Sequence, residues 1–263
     1  QNKINLCGES GYNLIVNNIN NKVEISNKIY HDIKNNKLGI NNNNPNYDID
    51  INGEINTNND INLMNNLIYN SVNKNINIGT SKKLNDNNKH SITITSDTNI
   101  ENQASFCIAL GYKTGEHNQS KYSISIGTLC GNNSQRTNSI AIGNRAGEHT
   151  QNINSIAIGN LSGNNNQNSN CISIGNNAGF LQQASNAIAI GYNSGKEQQN
   201  KNSIAIGSTS GYEKQSENCI SIGSNAGSKD QKINSISIGN CSGAYNQGEH
   251  CISIGTNAGK LNQ

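Results

Sequence analysis

The chain has little of the material from which the wide core of a globular enzyme is built. It contains no Trp, two Phe, one Met and one Pro in 263 residues, and only 32% of its residues are hydrophobic. Such a composition would by itself indicate disorder, because little apolar surface is available to offset the entropy lost on folding. A strict internal period argues against disorder, and the two observations together predict a thin, elongated body.

Concentrated charge and long apolar runs are also missing. The net charge is +2, and Lys and Arg are scattered among Asp and Glu, so the sequence lacks the basic face that nucleic acid binding requires. No apolar run approaches the roughly 20 residues of a membrane span, and no signal-peptide pattern opens the chain. We therefore expect no nucleic acid partner and no membrane insertion.

The cysteines are few and odd in number, seven in all, which does not favour a disulfide framework. The closest pair in one repeat column, Cys219 and Cys251, is two repeats apart, or about 9.6 Å at the usual strand spacing. This exceeds the roughly 7 Å Cα separation that a disulfide can span. We expect Cys107, Cys130, Cys171 and the pair above to be small buried residues of a protein assembled in a reducing cytosol.

What the sequence does contain is an uninterrupted sixteen-residue period. Glycine columns run from Gly111 to Gly255 and from Gly115 to Gly259, and a Gln column runs from Gln103 to Gln263. A fixed period of this kind is typical of stacked supersecondary units, and it predicts a solenoid with one rung per repeat. The most regular column is Ile, at Ile108, Ile124, Ile140, Ile156, Ile172, Ile188, Ile204, Ile220, Ile236 and Ile252.

The repeat that begins at Asn138 illustrates the expected strand. Residues 139–142 alternate small and large, which predicts a short strand with Ile140 and Ile142 on one face and Ser139 and Ala141 on the other. We assign the strand face that carries Ile140 and Ile142 to the narrow apolar interior. The opposite face of Ser, Ala and Cys is uncharged in every regular repeat, so we assign it to contact with a neighbouring chain in a side-by-side oligomer.

The rest of the rung is predicted to turn two corners and return. Gly143 and Gly147 permit the positive φ of tight corners, with Ala146 turned inward between them. The variable stretch 148–153 is expected to face solvent. Stacking places Gln151 and its equivalents in one amide column, and the Asn residues equivalent to Asn138 in another, so that both hydrogen-bond along the axis.

The repeat resembles the head repeat of trimeric autotransporter adhesins, whose N-S-[VI]-A-I-G core is matched by residues 138–143, 154–159 and 202–207. It is still more similar to the SIAIG-x-x-AG-x-x-x-Q arrays of tail-fibre and surface-fibre proteins of phages and large DNA viruses. The resemblance implies an all-β fold, a left-handed parallel β-roll or β-solenoid with sixteen-residue rungs, packed as a homotrimer.

A second resemblance lies upstream, where residues 38–55 are similar to the V-G-I-G-T-T-N-P-x-Y-x-L-D-V-N-G-x-I element of viral and phage fibre shafts. Pro45 is placed to fix a turn before an alternating strand at 47–51. Alternation at 12–16 and 22–29 predicts further strands.

We therefore divide the chain into an N-terminal β-strand segment at 1–36, a shaft-like β region at 37–75 and a β-roll at 76–263. Rungs are degenerate at 76–103 and regular at 104–263.

No catalytic, cofactor or metal site is predicted. His117 and His149 share a column but lie two rungs, about 9.6 Å, apart, which is too far to share a zinc ion with bonds of about 2 Å. Carboxylates such as Glu148, Glu197 and Glu213 fall irregularly on the variable stretch and are interpreted as solvated charge. The structural repeat residues are the Ile column together with Gly143, Gly147 and Gln151.

These observations favour a non-enzymatic structural fibre or surface-appendage protein of a virus or phage, on the virion surface or outside the cell. It would form a rigid, trimeric stalk or head, with a host surface receptor or a glycan as the partner for attachment. The main alternative is a cellular trimeric adhesin head. An ice-binding solenoid is a third possibility, although the Ser, Ala and Cys face lacks the regular Thr array expected of one.

Overall fold

The computed structural model describes residues 103–262 and 90–95, and at the level of the backbone the strands at 13–17, 22–26, 29–32, 37–40, 49–51 and 76–79. The chain divides into two compact units, residues 1–67 and 68–263. All regular structure in the described residues is β. Among these residues no helix is long and apolar enough to cross a membrane.

The described residues of the first unit form five short strands. They are β1 (Asn13–Asn17), β2 (Lys22–Ser26), β3 (Ile29–Asp32), β4 (Lys37–Ile40) and β5 (Ile49–Ile51). Strands β1 and β2 pair antiparallel, as do β3 and β4, whereas β5 pairs parallel to β4. Strands therefore occur where alternation predicted them, while Pro45 and the turn expected around it lie outside the described residues.

The described residues of the second unit form two parallel sheets. The larger, which we call the Ile sheet, has twelve strands. They are β6 (Ile76–Gly79), β7 (Ile92–Thr95), β8 (Ile108–Leu110), β9 (Ile124–Ile126), β11 (Ile140–Ile142), β13 (Ile156–Ile158), β15 (Ile172–Ile174), β17 (Ile188–Ile190), β19 (Ile204–Ile206), β21 (Ile220–Ile222), β23 (Ile236–Ile238) and β24 (Ile252–Ile254).

The smaller sheet, which we call the Gln sheet, has seven strands. They are β10 (Asn133–Gln135), β12 (His149–Gln151), β14 (Asn165–Gln167), β16 (Leu181–Gln183), β18 (Glu197–Gln199), β20 (Glu213–Gln215) and β22 (Lys229–Gln231). The variable stretch of the repeat was expected to be a solvent-facing return segment. It instead forms this second sheet, with Gln151 fully buried and Glu148 only 5% exposed.

The pairing register confirms one sixteen-residue rung per repeat. Ile140 lies opposite Ile124 on one side and Ile156 on the other, in parallel ladders. The degenerate repeats join the same sheet in phase, because β6 pairs with β7 and β7 pairs with β8. The chain thus contains a parallel β-solenoid of about ten turns, in which sequence neighbours sixteen residues apart are spatial neighbours.

The predicted orientation of the Ile sheet is wrong. Ala141 and Ser139 are fully buried, as are the small residues at equivalent positions from Ser155 to Ser237, whereas Ile140 and Ile142 point outward and are half-buried. The interior is narrow because Gln151 projects into it from the opposite sheet and donates a hydrogen bond to the Ile140 carbonyl at 2.8 Å. Only small side chains fit between the Ile-sheet backbone and a buried Gln.

The two glycine corners are confirmed, and each has its own cause. Gly143 has φ 131°, and a Cβ there would lie 2.5 Å from the carbonyl oxygen of Gly159 in the next rung. Gly147 has φ 54°, and a Cβ there would lie 2.9 Å from the Gln151 Oε1 atom. Ala146 is fully buried between them, as predicted. The corners therefore require glycine for both backbone conformation and close approach.

Candidate interaction surfaces

The first surface is the outward face of the Ile sheet, which we call the Ile face. In every Ile-sheet strand from β7 to β24, the first and third residues are Ile or Leu and point away from the core. Ile174 and Ile222 remain 36% and 37% exposed within this array. Monomeric proteins rarely expose a continuous apolar patch of this extent, so the Ile face has the character of an interaction surface.

The Ser, Ala and Cys face cannot serve as the contact between chains that its composition suggested. Ser155, Ala157, Ala187 and Ala189 are all 0% exposed and lie inside the roll of their own chain. Charged residues are excluded from these positions because the positions are the core, not because a neighbouring chain covers them. The comparison of this face with a Thr array for ice binding loses its basis for the same reason.

The Gln column is the central feature of the interior. Each Nε2 from Gln103 to Gln231 donates to the Oε1 of the Gln sixteen residues later, at 2.8–3.2 Å. From Gln119 to Gln247, Nε2 also donates to a backbone carbonyl of the Ile sheet. No buried side-chain nitrogen or oxygen among the described residues lacks a partner. The predicted amide ladder is therefore confirmed, and it joins the two sheets as well as successive rungs.

The Asn column predicted beside the strand is also a ladder, but an exposed one. From Asn138 to Asn234 each side-chain amide donates to the next at 3.0–3.2 Å. These residues have φ between 56° and 62°, a left-handed conformation that Asn tolerates better than most residues. Backbone geometry, as well as stacking, therefore selects Asn at this corner.

Aromatic residues replace Asn in this column near the start of the regular array. His90 stacks on Phe106 with ring centroids 5.0 Å apart, and Phe106 stacks on Tyr122 at 5.1 Å. All three have φ between 60° and 64°, which is unfavourable for a bulky side chain. Stacking between rungs offsets part of this conformational cost.

The second surface is the outward side of the Gln sheet, where side chains at 4.8 Å intervals form two shallow grooves. One groove of about 300 Å³ is lined by Leu181, Glu197 and Glu213 among others. The other, of about 600 Å³, is lined mainly by amides, including Asn152, Asn166 and Gln182. The central residues Asn166, Gln182 and Gln198 of three Gln-sheet strands form a ridge that borders both grooves. Sequence reasoning missed this surface because it treated the segment as an irregular return.

Glu148 occupies a buried corner rather than the solvent. Burial raises its pKa, but hydrogen bonds from Arg145 and Asn164 and the nearby positive charges outweigh that effect, so the pKa lies below its usual range. Arg145 Nε lies 2.7 Å from the carboxylate and Asn164 Nδ2 lies 3.0 Å from it. The carboxylate is held as a structural anion at the turn, since its bonding capacity is taken up by these neighbours.

His117 and His149, which share a column, are separated by the rung of Asn133. The His117 backbone N–H donates to the Asn132 carbonyl, and its carbonyl accepts from the Ser134 N–H. His149 Nε2 lies 3.8 Å from Glu148. The part of the chain that the structure describes contains no cluster of three or more His, Cys, Asp or Glu arranged to hold a metal ion.

For most cysteines, burial agrees with that of the other residues in the same repeat column. Cys107, Cys130, Cys171 and Cys219 are fully buried and free, as predicted, whereas Cys251 is partly exposed. Burial raises the pKa of the Cys130 thiol to about 12 and that of the Cys171 thiol to about 11. These thiols are therefore protonated and unreactive in the folded protein.

Comparison with known proteins adds no identification. No family model, no curated protein and no solved structure matches the chain.

Proposed function

We propose that this chain is a non-enzymatic structural protein of a viral or phage fibre or surface appendage. Its β-solenoid forms a rigid, left-handed rod, and three copies pack side by side into a homotrimer. This homotrimer attaches the appendage to a host receptor. The fibre-like repeat supports this assignment, as does a core held by repeated hydrogen bonds instead of an apolar pocket.

The observation that carries the proposal is the Ile face. Twelve strands at about 4.8 Å spacing give this face a length of about 53 Å. Over the described side chains it presents two columns of aliphatic residues and no charge. In a second copy the Ile columns have the same spacing, so the Ile columns of neighbouring chains can interdigitate along the whole length of the Ile face. Threefold packing around the Ile faces would remove these side chains from water.

The role as a rod follows from how the rungs are joined. Between Asn138 and Asn234, successive rungs are joined by two parallel backbone ladders, by the buried Gln ladder and by the exposed Asn ladder. Bending the rod would strain all of these contacts together. A protein of this construction resists deformation along its axis, and the two grooves on the described part of the Gln sheet are open rather than enclosed. The reducing cytosol is the proposed place of assembly, consistent with free, buried thiols.

Sedimentation velocity of the purified full chain at low micromolar concentration tests the proposal. We expect a single species with about three times the 28.2 kDa chain mass, and rod-shaped particles by negative-stain electron microscopy. A stable, folded monomer under these conditions would exclude the trimer and the structural role that depends on it.

A further inference from the structure

The amide groove on the Gln sheet has no charged residue in its lining, unlike the neighbouring groove, which is lined by Glu197, Glu213 and Lys214 among others. It is an open groove of about 600 Å³ that extends over four rungs. One wall carries Asn166, Gln182 and Gln198, and the other carries Asn152, Asn168 and Asn200. Charged residues occur in the same two columns only beyond these rungs, at Arg136, Lys214, Asp230 and Lys232.

On the wall of Asn152, Asn168 and Asn200, Asn152 already donates to Asn168 at 3.3 Å, but the amides of the other wall differ from those of the exposed Asn ladder. In the exposed Asn ladder, Asn186 donates to Asn202 at 3.0 Å, and neighbouring members bond in the same way. By contrast, Asn166, Gln182 and Gln198 are exposed and their side chains form no hydrogen bond within the described residues. Their donors and acceptors are available to a ligand without breaking any interaction of the fold.

The chemistry of the lining limits the class of ligand. A primary amide offers two donors and an acceptor, which suits the adjacent hydroxyl groups of a sugar, each of which both donates and accepts. The absence of charge disfavours phosphates and other anions, which are recognised by Arg and Lys. The near-absence of apolar side chains disfavours lipids and hydrophobic peptide segments. Equivalent side chains recur about every 4.8 Å along the groove, so a linear polymer of hydroxylated units can bond in successive rungs.

We propose that the amide groove binds an uncharged, linear carbohydrate chain laid along the solenoid axis. This deepens the attachment role within the proposed function, on which it rests, by naming the site and the ligand class. The ridge amides of Gln182 and Gln198 provide the central contacts, and the opposite wall provides further ones. Three copies in one trimer would present three parallel grooves, so a weak interaction at each groove could sum to a strong attachment.

The experiment uses the full chain and four probes: cellohexaose, maltohexaose and chitohexaose as neutral chains, and a heparin hexasaccharide as an anionic one. Binding is measured by isothermal titration calorimetry. We expect at least one neutral probe to bind with Kd about 1 mM or tighter, and the Gln182→Ala/Gln198→Ala variant to bind it at least about tenfold more weakly, a loss of about 1.4 kcal/mol. The control Asn186→Ala/Asn202→Ala removes two exposed amides on adjacent rungs outside the groove and should keep full affinity.

Three results would overturn the inference: no binding of any neutral probe, binding of heparin alone, or unchanged affinity in the Gln182→Ala/Gln198→Ala variant. Sedimentation of the same preparation separates this inference from the proposed function. A trimer that binds no carbohydrate leaves the structural role intact and removes only the groove. A monomer that binds a neutral probe retains the groove, which lies within one chain, and removes the trimer.

Discussion

A buried Gln at the same place in every rung determines which residues can share the interior with it. Gln135 accepts from the Ser125 hydroxyl at 2.6 Å, and a Cβ on Gly195 would lie 3.2 Å from the Ala189 Cβ atom. Ser and Ala at the inward strand positions leave room for the amide, and Ser also supplies a donor for it. The core is thus polar and closely packed, and its stability depends on complete hydrogen bonding rather than on apolar volume.

Enlarging an inward residue should therefore be costly. The change Ala189→Leu adds three carbons at a fully buried position beside Gln199, and we expect a loss of about 3 kcal/mol or more in unfolding free energy. The control Ala184→Leu makes the same change on the partly exposed side of the Gln sheet and should alter stability by less than about 0.5 kcal/mol. Urea unfolding followed by circular dichroism measures both. Similar losses in the two variants would contradict the inward assignment of Ala189.

Thiol chemistry provides a second test at single residues. Because burial raises the pKa of Cys130 to about 12 and that of Cys171 to about 11, neither should react with iodoacetamide at pH 9 while the protein is folded. The partly exposed Cys251 should react, as mass spectrometry of the peptides would reveal. Native-state labelling of Cys130 as fast as that of Cys251 would refute its burial.

The same shifts give stability a defined dependence on pH. Below the ordinary thiol pKa of 9.0, these thiols are protonated in both the folded and the unfolded chain. Above it the unfolded thiols ionise while the folded ones keep their protons, so the unfolding free energy should fall as pH rises from about 9 toward 11–12.

The rung, as the repeating element, depends on corners that only glycine can form. Successive glycines of the first column approach so closely that a Cβ on Gly159 would lie 2.6 Å from the Gly175 carbonyl oxygen, at φ 130°. The strand before this corner and the turn after it are set by that contact. Neighbouring rungs share it, so an error at one corner is transmitted to the next.

The change Gly159→Ala should destabilise the roll by about 3 kcal/mol or more, because it combines a backbone clash with a conformation that L-residues avoid. Its effect should be largest in adjacent rungs, where hydrogen exchange would detect faster opening of the amides of β13 and β15. Gly248→Ala is the matched control, since Gly248 lies outside the left-handed region. Equal urea midpoints for the two variants would show that the corner tolerates a side chain.

At the scale of the whole molecule, the Ile side chains point outward from the Ile sheet. We therefore expect the contact between chains at the Ile face and not at the buried face of Ser, Ala and Cys. The double change Ile188→Asp/Ile204→Asp places two charges on adjacent rungs of this face. We expect the trimer to dissociate at low micromolar concentration, because the carboxylates would have to be desolvated in an apolar interface. Sedimentation velocity measures the effect.

The control Asn200→Asp/Ser216→Asp adds the same charge on adjacent rungs next to the Gln sheet, away from the Ile face, and should leave the trimer intact. The Ile-face variant should also keep its β circular dichroism spectrum, since the altered side chains are outside the core. A trimer that survives both pairs of charges would place the contact between chains elsewhere.

The sequence by itself determined the features that depend on phase along the chain. The sixteen-residue rung, the parallel register of Ile140 with Ile156, the glycine corners and the two amide ladders could all be predicted. In a solenoid, residues one period apart become neighbours, so a column in the sequence is a column in space. The buried, free cysteines followed from the same reasoning.

Only the tertiary structure decided which side of the strand faces inward and that a second sheet exists. Alternation at 139–142 is symmetric: it separates two faces, but the inner one is chosen by what the opposite wall contributes, here Gln151. The second sheet gave no alternating signal because its central residue, such as Thr150 with φ 54°, interrupts the extended backbone. The Ile face and the amide groove, the two candidate interaction surfaces, both follow from these decisions, and so they became apparent only when the two walls of the roll were seen together.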